Sequence, residues 1–195
     1  MAETFSNVLY ARVFPRQRMA YNLAAVGAFA VLTALLAQME VRLPYTPVPI
    51  TGQTIAVLLS GALLGCRRGF ASQALYLAAG VAGAPVFAGG ATGIAYLLGP
   101  TGGYLISFPL AAALLGALVE RGASRSLPLM AASLVLADLL IVVCGTFWLH
   151  QFHAVPLRRA WVLGFYPFLV SDLLKLALVA VPLPALIKRL PPAPK

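Results

Sequence analysis

Six stretches of mostly apolar side chains run through the chain, joined by short polar or Gly/Pro-rich segments. This alternation limits the possible folds more than any other feature. The stretches fall at about Tyr21–Met39, Gln53–Gly65, Gly69–Val81, Tyr104–Val119, Leu127–Leu149 and Tyr166–Ile187. A soluble domain of 195 residues could not hide a composition that is 61% hydrophobic and only 10% charged. Mean hydropathy is +0.91. The expected fold is therefore an all-α integral membrane protein with six transmembrane helices. It forms one membrane domain over residues 1–195, with short tails at about 1–20 and 188–195.

The formal charge of +9 raises the question of nucleic acid. The basic residues do not form a stripe, however. They sit in short groups between the apolar runs, as the orientation rule for membrane proteins leaves them. With the N-terminus inside, the inner segments carry Arg12, Arg16, Arg18, Arg67, Arg68, Arg121, Arg125, Lys188, Arg189 and Lys195. The outer segments carry Arg42, Arg158 and Arg159. Ten against three places both termini in the cytoplasm and the chain in the inner membrane, with the bilayer as its surroundings and no nucleic acid as partner. The Arg158–Arg159 pair goes against the count and is expected beside Trp161, at the level of the outer headgroups. The first twenty or so residues carry charge throughout, so no cleavable signal peptide is expected. Cys66 and Cys144 form no CxxC pattern and read as packing residues; no metal site is expected.

The second and third runs are short for a crossing, which takes about 20 residues. The second is therefore expected to begin inside the loop before it. Backbone that is not helical at membrane depth must be covered by protein or line a wet cavity, because lipid cannot satisfy its polar groups. Two segments fit that description. LPYTPVPITGQT (Leu43–Thr54) holds three prolines, and AGAPVFAGGATGIAYLLGPTGG (Ala82–Gly103) holds two prolines and seven glycines. Both mix aromatic and aliphatic residues with turn formers, as packed loops do.

The sixth run contains Asp172 and Lys175. Positions i and i+3 share a helix face, and a helix starting near Pro167 sinks Asp172 about one and a half turns into the membrane. Each charge costs about 2.5–3.5 kcal/mol at the centre of a span. A buried ion pair is often no more stabilising than an apolar isostere, so bracing the bundle is a poor reason to keep this one. The pair reads instead as the lining of a cavity that meets a polar ligand. Asp138, in LVLADLLIVV, is a second intramembrane carboxylate with no basic residue within a helical turn. It is either another ligand contact or a protonated, hydrogen-bonded interior group.

Four motifs in order, TPVPITGQT, GAPVFAGGATG, GPTGGYL and PFLVSDLLK, resemble the BioY family, the biotin-specific S components of energy-coupling-factor transporters. The likeness runs from about Ala24 to about Val181. It implies a six-helix membrane fold with cytoplasmic ends and a biotin pocket near the outer face, under the loops joining spans one to two and three to four. It also implies work with a membrane coupling protein (the T component) and two ATPases. No phosphate-loop motif occurs in the chain, so no cofactor is expected here and ATP is left to the partners. Whether copies of the chain associate with one another is left open.

Biotin offers two ureido N–H donors, one carbonyl acceptor and a tail carboxylate. Under the resemblance, Asp172 accepts from an N–H, and Lys175 either donates to the ureido oxygen or pairs with the tail. Thr51 and Gln53 supply polar contacts, Tyr76 and Tyr96 a ring face with a hydroxyl, and Phe87 an apolar wall. The loop glycines either let backbone approach the ligand or serve tight turns. Small residues four apart in the first span, Ala24 with Ala28 and Ala30 with Ala34, let helices approach closely. The resemblance assigns such a motif to docking of the coupling protein, with Ala30 and Ala34 favoured; ordinary packing within the bundle is the other reading. An intramembrane enzyme is disfavoured, because the two histidines, His150 and His153, lack a third ligand and a nearby carboxylate. A stand-alone biotin carrier, with Asp172 or Asp138 titrating, is the rival form of transport.

Overall fold

The computed structural model describes residues 18–152 and 154–180. Eight helices and one small hairpin make up these residues. Helix α1 is Arg18–Ala37. The strands β1 (Glu40–Val41) and β2 (Ile50–Thr51) pair antiparallel, Glu40 opposite Thr51. There follow α2 (Gln53–Leu64), α3 (Cys66–Val81), a one-turn α4 (Ile94–Leu97), α5 (Gly102–Glu120), α6 (Leu127–Phe152), α7 (Leu157–Gly164) and α8 (Tyr166–Ala180). Each apolar run of the sequence overlaps one of the longer helices, the sixth over Tyr166–Ala180; its residues 181–187 lie outside the described residues. Four segments are long and apolar enough to cross a membrane: Met19–Ala37, Gly102–Glu120, Leu127–Phe152 and the α7–α8 stretch Leu157–Ala180. Five of the ten inner basic residues counted above, Arg12, Arg16, Lys188, Arg189 and Lys195, lie outside the described residues, as do the expected terminal tails for the most part.

Helix α5 is the centre. It packs on α2, α3 and α6; α1 leans on α2 and α3 from one side, and α7 and α8 lean on α6 from the other. Two helix contacts are close enough to exclude a side chain. A Cβ at Gly61 in α2 would run into the Ala112 backbone of α5, and one at Gly116 in α5 would run into the backbone of Gly65 and Cys66. Gly65 itself, at φ +84, makes the turn between α2 and α3 in a conformation that favours glycine. Buried polar groups lie between helices rather than toward lipid. Thr33 Oγ1 of α1 donates to Gln73 Oε1 of α3 at 3.2 Å, and Gln73 Nε2 donates to Ser60 Oγ of α2 at 3.1 Å.

The outer surface is apolar, the reverse of a soluble helical domain. On α8 Val170, Leu173, Leu174 and Leu178 are exposed while Asp172 is 4% exposed. That distribution fits a helix bathed in hydrocarbon with its charge turned inward.

One expectation is corrected. The second span does not begin in the loop before it: α2 starts at Gln53, and the preceding segment is the β1–β2 hairpin. Pro44, Pro47 and Pro49 lack backbone donors and bar a helix there. Arg158 and Arg159 lie with Trp161 on the separate helix α7, where both arginines are exposed while Ala160 and Gly164 are buried. Of the small residues expected at a docking face, Ala30 is buried in the core cluster and Ala34 is partly buried against it. Ala24 and Ala28 are exposed.

Candidate functional site

Helix α8 opens with Pro167 in its first turn, where a missing N–H costs nothing. The i,i+3 spacing then brings Lys175 Nζ to Asp172 Oδ1 at 2.8 Å, with side chains 12% and 6% exposed. Ser171 Oγ also donates to Asp172 Oδ1, at 3.4 Å. The pair stands on the wall of a cavity.

The rest of the cavity is drawn from distant parts of the chain. Val48, Pro49 and Thr51 come from the first Pro-rich segment, and Ala88 and Tyr96 from the second. Tyr104, Leu105 and Phe108 of α5, Ile141 and Val142 of α6 and Phe168 of α8 form apolar walls. Gln53 and Thr54, at the start of α2, add polar groups. Thr54 Oγ1 is buried and has no hydrogen-bond partner among the described residues. A mostly apolar lining with a few placed polar groups is the usual make-up of a small-molecule site.

Both loops are tied down over this cavity. Thr46 Oγ1 donates to Leu163 O at 2.6 Å, joining the first loop to α7. Gln38 Nε2 donates to Phe87 O, and Gly90 N donates to Gln38 Oε1, clamping the second loop to the end of α1. Trp148 Nε1 donates to Gly99 O at 3.0 Å, joining that loop to α6. These bonds fix both loops to the bundle, while Tyr45, Gly83, Gly89 and Gly90 remain exposed.

Of the residues expected at the site, Asp172, Lys175, Thr51, Gln53 and Tyr96 line this one cavity. Tyr76 and Phe87 stand one layer behind it. The Tyr76 hydroxyl accepts from Gln53 Nε2 at 2.6 Å and donates to Val86 O at 3.2 Å. The Phe87 ring stacks on Tyr96 with centroids 5.2 Å apart and meets Tyr76 edge-on. Gln53 Oε1 accepts from Thr51 Oγ1 at 2.7 Å, so Thr51, Gln53 and Tyr76 form one chain of hydrogen bonds. Burial raises the Tyr96 phenol above its ordinary value, so the hydroxyl stays a neutral donor.

Asp138 does not line this cavity. It is 6% exposed, its Oδ1 has no hydrogen-bond partner among the described residues, and it shares with Asp172 a second, largely apolar cavity between α6 and α8. Sequence reasoning missed Tyr104, Phe108, Phe168 and Thr54. The aromatics carry no signal beyond apolarity; Thr54, one residue after Gln53 in a quoted motif, was within reach.

Comparison with known proteins shows the family of the chain. The BioY family matches residues 8–192. The chain is 40% identical over 162 residues to the "Probable biotin transporter BioY" of Pyrococcus horikoshii, covering 83% of this chain and 93% of that one. It is 37% identical over 161 residues to the "Biotin transporter BioY2" of Lactococcus lactis, covering 83% and 87%. A crystal structure of the S component for biotin from an ECF-type ABC transporter superposes with a TM-score of 0.82 at 26% identity, over 89% of this chain and 94% of that chain.

Proposed function

The chain belongs to the BioY family, and from that premise we propose that it is a biotin-binding membrane subunit that mediates biotin uptake together with an ATP-driven energy-coupling-factor module. It is a transport protein, not an enzyme. The observation that carries the reading is the Asp172–Lys175 pair, buried yet set on the wall of a cavity beneath both Pro/Gly-rich loops. In a membrane, such a pair is expensive unless something polar meets it.

Asp172 takes a ureido N–H as a charge-assisted acceptor. Thr51, Gln53, Thr54 and Tyr96 are placed to complete the polar contacts, and Phe108 and Phe168 to cover the apolar ring system. Tyr76 and Phe87 support Gln53 and Tyr96 from behind. The coupling protein and two ATPases supply the energy. The proposed topology has six crossings in the inner membrane; the ten-to-three distribution of basic residues supports its orientation, with both ends in the cytoplasm.

Equilibrium binding of biotin to the detergent-purified chain tests the site. The parent should bind tightly. Asp172→Asn and Lys175→Ala should each weaken binding by roughly ten- to a hundredfold, the worth of a hydrogen bond to a charged group. Equal affinity in all three proteins would remove the site from the account.

A further inference from the structure

A second space adjoins the pocket on its outer side. It is open to the surroundings, and Pro49, Ala88, Tyr96 and Thr101 line both. Its charged lining residues, among those described, are Glu40 and Arg42. Resting on the biotin reading above, we propose that Arg42 is the subsite for the ligand's tail carboxylate, so that Lys175 serves the ring end only.

Charge and burial argue for this division. Lys175 is 12% exposed and already answers Asp172 at 2.8 Å. A ureido group is neutral and can join that pair without changing its charge. A carboxylate brought there would leave one negative charge uncompensated in a buried place, which is costly. Asp138, on the cavity at the other side of Asp172, supplies no positive charge to help. The ion pair at Arg42 would also become net negative on meeting a carboxylate. There, however, the Arg42 side chain is 74% exposed, and water carries the excess.

The hairpin holds Arg42 in position. Glu40 Oε1 accepts from Arg42 Nε at 2.8 Å and lies 2.7 Å from Arg42 Nη2. A guanidinium has five N–H donors in a fixed fork, so Nη1 and the outer hydrogens remain for a ligand. Gly89, at φ +66, leaves room for this arrangement: a Cβ there would lie 2.6 Å from Arg42 Nη2. The charges of Glu40 and Arg42 both act on the Tyr96 phenol, which stands on the seam between the two spaces. A ligand passing Tyr96 therefore has its ring at Asp172 and its tail toward Arg42.

The test compares biotin with biotinamide, in which a neutral carboxamide replaces the carboxylate, by equilibrium binding to the full purified chain. The parent should prefer biotin by about tenfold, Arg42→Gln should bind both ligands at the biotinamide level, and Arg42→Lys should regain part of the preference. Lys175→Ala should lose affinity for both ligands and keep the preference. A preference that survives Arg42→Gln, or one abolished by Lys175→Ala instead, overturns the assignment. So does an equal loss of both ligands in Arg42→Gln, since Arg42 would then act on the architecture. A parent that does not distinguish the two ligands overturns it while leaving the biotin reading intact; a parent that binds neither strikes that reading itself.

Discussion

Gln53 uses both ends of its amide within the protein, accepting from Thr51 and donating to Tyr76. Tyr76 therefore acts on the pocket through Gln53, which it holds from behind. Tyr76→Phe keeps the ring against Phe87 and deletes the hydroxyl. It should weaken biotin binding several-fold, on the order of the 1 kcal/mol that one hydrogen bond contributes. Combined with Gln53→Ala it should add little to the loss from Gln53→Ala alone, because the two act in series; additive losses in a double-mutant cycle would show a separate role for Tyr76. Single residues differ in how well the sequence reveals them. Asp172 and Lys175 stand out because charge is costly in hydrocarbon, so their presence needs a reason. Tyr104 and Phe108 look like any apolar residue of a membrane helix, and only the packing of α5 among its neighbours sets them on the cavity wall.

Helices here approach through glycine. Gly61 in α2 and Gly116 in α5 face backbone at distances that no side chain tolerates. Gly61→Val should force α2 from α5 and lower the thermal midpoint in detergent, with a cost of at least the 1–3 kcal/mol typical of overpacking. Gly27→Ala in α1 has nothing within 4 Å of the added Cβ and should be neutral or slightly stabilising. A Gly61→Val protein melting with the parent would contradict the close contact. The boundaries of elements were legible wherever apolar runs were long, as in α5 and α6. They were less so around α2, where prolines announce a break but not the hairpin that replaces the helix. The separate helix α7 escaped the periodicity because it is only 8 residues long and joins α8 almost without a gap.

Across the whole molecule, α1 divides into two faces. Ala30 and Ala34 pack into the bundle, and Ala24 and Ala28 face outward. The exposed pair is thus the one open to a coupling protein. Ala24→Trp or Ala28→Trp should reduce co-purification with that protein while biotin binding persists; Ala30→Trp should instead destabilise the chain itself, because no space exists for the ring. Undiminished assembly of both exposed variants would remove this face as the docking surface. The sequence alone determined that the chain is helical and belongs in a bilayer, where its breaks fall, and that Asp172 and Lys175 share a face. These follow from hydropathy and helical period, which are local and survive without knowledge of neighbours. Tertiary structure alone decided which alanines are buried, that Tyr76 and Phe87 stand behind the cavity, and that Arg42 lines a space adjoining the one that holds Asp172. Those facts depend on which residues far apart in the chain become neighbours, and no local pattern encodes that.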